Sequence, residues 1–454
     1  MVKVITYGSF DLFHEGHYRL LQRAKALGDY LIVGVTTEQY DEYRGKLNVA
    51  DSLMERIEHV KQTGFADLIV IEDHVGQKVE DIQKYNVDIF TVGSDWLGKF
   101  EYLKEYCQVV YLERTKGISS TMLRNKNFGI VRLGIIGSGR IAKRFVPEVK
   151  FVSGVNTEVV YNPHLESARN LAELNELNIY TDDKEILYDH CDAVYIASPH
   201  NTHFEYIKEA LNHGKHVLCE KPLVLKKQEA EEVFALAKEK NLVLMEALKT
   251  AYAPGFIKLI STAKSGNIGK ICDVEVGFTK LVSDHGLREF LPEENGGSFT
   301  ELGSYPLLAV IKILGRNYKD ITFTSFCDKN GVDLYTKAYI SYNHAVASVK
   351  TGIGVKSEGN LVAAGTGGYL IADSPWWLTK KFKLCYEDRS MNEEFFFKYQ
   401  GEGLRYEIAA FIAKINGHKK HMSTMNAEDS IILAEIMEKF RNDLSKNLVR
   451  RIVL

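Results

Sequence analysis

At 454 residues the chain exceeds one ordinary core, so length alone predicts roughly two to four domains. Hydrophobic content of 45% and charged content of 26% are globular, and a formal net charge of -3 leaves no basic footprint for nucleic acid or an anionic membrane. The N-terminus MVKVITYGSFDLFHEGH is not a secretory signal, no apolar run reaches bilayer length, and six scattered cysteines without a CxxC pair fit free thiols in a reducing cytoplasm better than disulfides or a metal site.

Strand and helix patterns alternate from the start. VKVITY reads as a buried strand, and HEGHYRLLQRAKALG as a helix with Leu20, Leu21, Ala24 and Leu27 on one face. Gly28 stands where a glycine C-cap is expected, and YLIVGVT is the next strand. Ser52 and Glu55 form a capping box ahead of an Ile57/Val60 stripe that ends at Gly64. Strands ADLIVIE, VDIFTVG and QVVYLE follow, which predicts a parallel, doubly wound α/β domain over residues 1–127.

After the short polar joint NKNF the series restarts. RLGIIG, EVVYN, DAVYIAS and KHVLCEKP read as strands and GRIAKRFVPEV as a helix, giving a second α/β domain over 128–247. From 248 to 454 the rhythm changes. KICDVEVGFTKL, ITFTSFC, TKAYISYN and AVASVKTGI read as β-rich without intervening helices, predicting an α+β domain with a mostly antiparallel sheet. Helical spacing returns at Tyr406, Ile408, Phe411 and Ile412, and again at Ile432, Leu433, Ile436 and Phe440.

Three features of the first domain point to phosphate chemistry. Tyr7-Gly8-Ser9-Phe10-Asp11-Leu12-Phe13-His14-Glu15-Gly16-His17 lies at a strand-to-helix junction. His14 and His17, three apart, can share one side of the first turn, where free N–H groups and the helix dipole favour anions. Arg114-Thr115-Lys116-Gly117-Ile118-Ser119-Ser120-Thr121 reads as strand, glycine turn, hydroxyls and helix, with cations to neutralise charge. Gly93-Ser94-Asp95-Trp96 closes a strand at its carboxyl end, where open α/β sheets place ligands. Taken singly, each also reads as surface histidines or simple capping.

With the stretches LLQRAKALGDYLIV, VDIFTVGSDWLGKF and VVYLERTKGISST, these motifs make residues 1–127 resemble the glycerol-3-phosphate cytidylyltransferases of the HxGH nucleotidyltransferase superfamily. The resemblance implies attack of a substrate phosphate on the α-phosphorus of CTP, which arrives with Mg²⁺, and loss of pyrophosphate. It implies that His14 and His17 stabilise the triphosphate and transition state. Tyr7, Gly8, Ser9, Phe10, Asp95, Arg114, Gly117, Ile118, Ser119, Ser120 and Thr121 would bind the nucleotide, and Lys46 and Arg56 the acceptor phosphate. Ser94 replaces a typical Asp and the EYRGKLNVADSLMER segment diverges, so the acceptor can be a polyol phosphate other than glycerol 3-phosphate.

In the second domain Gly137-Ser138-Gly139-Arg140-Ile141-Ala142 follows a strand and opens a helix, the geometry that brings a dinucleotide pyrophosphate to a helix N-terminus. The second strand ends Val160-Tyr161-Asn162-Pro163-His164, without the carboxylate that excludes a 2′-phosphate, so NAD and NADP both remain open. Together with Ala197-Ser198-Pro199-His200-Asn201-Thr202-His203 and Cys219-Glu220-Lys221-Pro222, these motifs make residues 128–454 resemble the Gfo/Idh/MocA oxidoreductases. The resemblance implies that Gly137, Ser138, Gly139, Arg140, Ile141, Asn162, Ser198, Pro199 and His203 bind the cofactor. Glu220 would lie on its ribose and Lys221 beside nicotinamide and substrate. The family's Asp-x-Gly-x-His acid/base frame reads Glu301-Leu302-Gly303-Ser304-Tyr305 here, leaving Tyr305 as proton donor, or else as core packing at the start of YPLLAVIKIL. His285 and Arg288 read as solvated surface residues of a substrate loop.

The expectation is a bifunctional enzyme that reduces a phosphorylated ketose or aldose and caps the polyol phosphate with CMP, for surface polymers. An oxidoreductase acting on a CDP-linked or separate sugar, or a non-catalytic nicotinamide-binding module, is the alternative. A cytoplasmic homo-oligomer, dimer or tetramer, is expected, binding neither nucleic acid nor membrane.

Overall fold

Neighbouring side chains of the first strand go to opposite cores: Val4 packs with Leu21, Ala24 and Val60, and Ile5 with Ile82 and Phe90. The computed structural model describes residues 1–47, 49, 51–113, 130–417, 425–446 and 448–453, with Asp95 and Val453 by backbone alone. The chain divides into two compact units, one of Met1–Arg132 with Val146–Glu158 and Asn175–Asn178, the other of Leu133–Phe145, Val159–Leu174 and Ile179–Leu454.

The first unit runs β1 (Lys3–Gly8), α1 (Glu15–Lys25), β2 (Tyr30–Thr36), α2 (Glu38–Tyr43), α3 (Leu53–Gln62), β3 (Leu68–Glu72), α4 (Gln77–Tyr85), β4 (Ile89–Gly93) and β5 (Gln108–Leu112). Its strands pair in parallel in the order β3-β2-β1-β4-β5. Both sheet faces are buried, which is why the strands read as nearly continuous apolar runs. The Ser52–Glu55 capping box forms at the start of α3. Gly28 is not the cap of α1. The helix ends on Ala26, and a Cβ on Gly28 would stand 2.6 Å from the Val2 carbonyl oxygen, so close approach to β1 requires the glycine. Leu47 bridges to Val152, tying the Lys46 segment to Phe151–Ser153 inside this unit.

The second sheet is built from β6 (Val131–Ile136), β7 (Val155–Tyr161), β8 (Ile179–Thr181), β9 (Ala193–Ile196), β10 (His216–Glu220) and β11 (Leu244–Ala247), in the order β11-β10-β9-β6-β7-β8. It reverses direction of winding between β6 and β9.

The third sheet has nine strands: β12 (Ile271–Thr279), β13 (Asp320–Cys327), β14 (Asp333–Ser341), β15 (Val346–Gly352), β16 (Leu361–Gly365), β17 (Tyr369–Ala372), β18 (Lys381–Cys385), β19 (Glu393–Phe396) and β20 (Arg450–Val453). Most neighbours are antiparallel, but β12–β15 and β13–β20 are parallel, so the sheet is mixed. The stretch read as free of intervening helices is interrupted between β12 and β13 by helices Ser298–Leu302 and Ser304–Leu314. The second is apolar all round and buried from Pro306 to Ile311 against β12 and β15. No helix among the described residues is long and apolar enough to cross a membrane.

Candidate active sites

In the first unit the winding reverses between β1 and β4, and the loops after those strands carry the HxGH motif and Ser94–Trp96. That reversal opens the crevice in which such sheets hold ligands. His14 caps α1: its Nδ1 accepts from the Gly16 N–H at 3.0 Å, while the His14 N–H reaches Nδ1 of His17 at 3.4 Å. Both Nδ1 atoms are therefore acceptors, which leaves the ring protons on the two Nε2 atoms. A Cβ on Gly16 would stand 2.8 Å from Cε1 of His14, so this capping geometry requires glycine. Phe10 and Leu12 hold left-handed backbone conformations (φ 50° and 46°) in the same loop, strain of a kind that clusters at ligand sites.

Arg56 holds that loop in place. It is fully buried, and donates to the carbonyls of Ser9 (2.9 Å), Thr36 (2.7 Å) and Asp51 (3.1 Å). The buried Asp41 lies 3.5 Å from it, accepts from Thr36 Oγ1 and pairs with Arg44 at 2.5 Å. Burial lowers the pKa of Lys46, with Asp41 and Asp11 pulling the other way. Tyr7 gives its hydroxyl to Asp81 at 2.9 Å and packs its ring in the core, so its side chain is turned to the α4 face. Burial and Asp81 hold its pKa well above that of a free phenol. Gly8, Ser9 and Phe10 continue β1 into the crevice, with the Phe10 ring edge-on to His17. Arg114, Gly117, Ile118, Ser119, Ser120 and Thr121 lie outside the described residues.

In the second unit Gly137 (φ 95°) follows β6, and a Cβ there would stand 2.7 Å from the carbonyl oxygen of Ala197, after β9. The two loops meet at the winding reversal. Gly139 has open space about its Cα, at the start of the helix Arg140–Val149, a cradle that fits a dinucleotide pyrophosphate. Ile141 is partly buried in its first turn. Asn162 donates to Ser138 Oγ at 2.8 Å and accepts from the His164 N–H, fixing the end of β7 beside the cradle. Arg140 is ion-paired to Glu289. Ser198 and Pro199 line the β9 loop, where Ser198 Oγ accepts from Thr202. His203 is a clamp: its Nε2 lies 3.0 Å from the Ser198 carbonyl and its Nδ1 3.0 Å from that of Pro222, joining the loops after β9 and β10. Burial lowers its pKa to about 4 against the pull of those carbonyls.

Glu220 is buried and accepts from Tyr195 Oη (2.6 Å) and the Lys221 N–H (3.2 Å); burial raises its pKa. Lys221 Nζ donates to the Glu301 carbonyl at 2.8 Å and lies 3.8 Å from its carboxylate. Tyr305 stands edge-on to Phe278. Burial, with the charges of Glu220 and Glu407, raises its phenol well above the ordinary value.

Residues 5–126 match the cytidylyltransferase-like family, and residues 131–248 the oxidoreductase family with an NAD-binding Rossmann fold. The chain is 48% identical over 124 residues to the glycerol-3-phosphate cytidylyltransferase of Bacillus spizizenii (strain W23), spanning 95% of that protein and 27% of this one. The chain belongs to the cytidylyltransferases and carries a Gfo/Idh/MocA oxidoreductase domain behind them. The oxidoreductase part is 29% identical over 322 residues to the scyllo-inositol 2-dehydrogenase (NADP(+)) IolU of Bacillus subtilis (strain 168), covering 69% of this chain and 97% of that one. The fold of this part is also that of KijD10, a 3-ketoreductase from Actinomadura kijaniata solved with NADP and TDP-benzene (TM-score 0.63, 24% identity, 72% of this chain and 99% of that chain). Both activities, cytidylyl transfer and NAD(P)-dependent oxidoreduction, follow from these relationships.

Around Lys221 of the oxidoreductase domain stand residues that sequence reasoning did not assign to a site. Arg288, expected on the solvated surface, is half-buried, with Nη2 3.3 Å from His200 Nε2 and 3.6 Å from the Glu301 carboxylate. His285 is exposed as expected, and stacks on Phe290. Asp333 is buried beneath the helix that bears Glu301, and one of its oxygens accepts from Ser298 Oγ, the Phe299 N–H and Thr336 Oγ1 at 2.7–2.9 Å. Burial raises its pKa to about 6. No local pattern joins Asp333 to Ser298 and Phe299, or His200 to Arg288, because those partners are tens of residues away.

Proposed function

We propose that the chain makes a CDP-activated polyol. The oxidoreductase reduces a phosphorylated ketose or aldose, such as dihydroxyacetone phosphate or a pentulose phosphate, to a polyol phosphate. The transferase then moves CMP from Mg²⁺-bound CTP onto that phosphate, for a capsule or teichoic-acid-like polymer. The proposed domains are 1–127, 128–247 and 248–454, in a cytoplasmic homo-oligomer with small-molecule partners only.

The observation that carries this reading is the pairing of the two chemistries on one chain. A polyol phosphate is at once the product of a sugar-phosphate reductase and the acceptor of this type of transferase. One relative is named for transfer to glycerol 3-phosphate, another for oxidising a cyclic polyol with NADP(+).

In the transferase the acceptor phosphate is already a nucleophile, so the protein positions and neutralises rather than removing a proton. The Nε2 protons of His14 and His17 and the α1 dipole meet the charge that builds as the α-phosphorus is attacked and pyrophosphate leaves. Lys46 receives the acceptor phosphate. Arg56 fixes the loop through Nε and Nη1, and its Nη2, which has no hydrogen-bond partner, is left for the acceptor phosphate.

Gly137, Ser138, Gly139 and Asn162 would hold NAD or NADP, whose reduced form supplies the hydride. Lys221 polarises the carbonyl, and Tyr305 gives its oxygen a proton. Burial keeps that phenol protonated near neutral pH. Purified protein given CTP, Mg²⁺, NADH or NADPH and a panel of ketose phosphates should yield a CDP-polyol by mass spectrometry. Its absence across the panel refutes the reading, and dependence on nicotinamide only when the preformed polyol phosphate is withheld sets the order of steps.

A further inference from the structure

At the Lys221 end of β10 three basic side chains meet around the Glu301 carboxylate, with Glu220 behind Lys221 and Glu289 beside Arg288. Lys221 Nζ lies 3.8 Å from one oxygen of Glu301. The other oxygen has Arg288 Nη2 at 3.6 Å and His200 Nδ1 at 3.8 Å. Arg441 adds a third cation, whose charge is felt at His200 while its guanidinium holds the Asn295 side chain.

His200 tells which way this cluster faces. It is 5% exposed, and burial, with the charges of Lys221, Arg288 and Arg441, drives its pKa well down, so the ring is neutral. Arg288 Nη2 donates to Nε2 at 3.3 Å, which places the single ring proton on Nδ1. Nδ1 has no hydrogen-bond partner: Glu301, at 3.8 Å, is too far. A buried N–H without an acceptor, beside an arginine offered only a long carboxylate contact, is a set of donors short of oxygens.

We infer that His200 and Arg288 form the subsite for the phosphate group of the oxidoreductase's sugar-phosphate substrate. A phosphate monoester brings a near-dianionic charge and three acceptor oxygens, enough for His200 Nδ1–H and the Arg288 fork together. It would sit against His200 and Arg288, leaving the Lys221 amine and Tyr305 phenol for the reacting oxygen. The cofactor's pyrophosphate is provided for separately, by the Gly137–Gly139 cradle after β6. This inference rests on the proposal that the reduced sugar is phosphorylated, and it adds which residues choose it.

The test is the ratio of kcat/KM for a ketose phosphate to that for the same ketose without phosphate, with inorganic phosphate as competing ligand. Wild-type protein should prefer the phosphorylated sugar, and inorganic phosphate should inhibit competitively against it. Arg288→Ala should cut the preference roughly 10- to 100-fold, the loss expected for one charge-assisted hydrogen bond, through KM more than kcat. Arg288→Lys should retain part of it, and His200→Phe should lower it while NAD(P)H fluorescence still reports a folded cofactor site. An unchanged ratio in both Arg288→Ala and His200→Phe overturns the subsite even if CDP-polyol is made. A wild-type enzyme that reduces no ketose phosphate overturns the functional proposal itself.

Discussion

The imidazoles of His14 and His17 stack with centroids 4.0 Å apart and planes 24° from parallel, each receiving a backbone N–H on Nδ1. With both Nδ1 atoms accepting, the ring protons fall to the two Nε2 atoms. Removing one of them by His17→Ala should lower cytidylyl transfer about 10²- to 10³-fold, as for one lost transition-state donor. Gly16→Ala should also impair transfer, because its Cβ would meet the His14 ring. Pyrophosphate release from CTP and a polyol phosphate measures both. Wild-type rates in Gly16→Ala would show that the capping geometry is not needed.

Gly137→Ala should abolish dinucleotide binding. The position needs a positive φ, and the added Cβ would stand 2.7 Å from the Ala197 carbonyl, pushing apart the loops after β6 and β9. Titration of NADPH and NADH by fluorescence should find no saturable site. Retained affinity for either would place the cofactor elsewhere.

Lys221→Ala and Tyr305→Phe should separate polarisation from proton donation. Both should slow carbonyl reduction, Tyr305→Phe by about 10²- to 10⁴-fold, the usual worth of a general acid. Burial, with the charge of Glu220, raises the Tyr305 pKa, so Glu220→Gln should shift the alkaline limb of the kcat profile for reduction to lower pH. An unmoved limb would remove Tyr305 from the proton path.

His203 makes part of the stability depend on pH. Its folded pKa is about 4 against an ordinary 6.5, so below pH 6.5 the unfolded chain takes up a proton that the folded chain refuses. Stability from this group is complete above 6.5 and is lost as pH falls towards 4, on the order of 3 kcal/mol in all. Urea unfolding across that window should give a shallower pH slope for His203→Gln than for wild type. Equal slopes would mean the clamp titrates normally.

Much of this was legible because it is local. Strand, glycine turn and helix N-terminus occupy a dozen consecutive residues, so the helix start at HxGH, the Gly137 loop and the Ser52–Glu55 box could be read from spacing alone, though not the cap that His14 makes. Gly28 misled for the same reason: as a neighbour of a helix end it looks like a cap, whereas the contact that requires it is with Val2 on another strand. Arg56 was assigned to the acceptor phosphate by resemblance alone, whereas its three carbonyl partners come from segments that no local pattern joins.

The amino-acid order settles which short motifs exist and which backbone each can adopt, since those depend on propensities and hydrogen bonds between near neighbours. It does not contain the order in which strands pair. Placing β1 beside β4 and β6 beside β9 is what turns separate glycine loops into two crevices. Only packing across 80 or more residues sets Glu301 against Lys221 and His200 beside Arg288. Long-range burial decided that, because isolated polar groups are cheap in water and become demanding only once the fold has dried their surroundings.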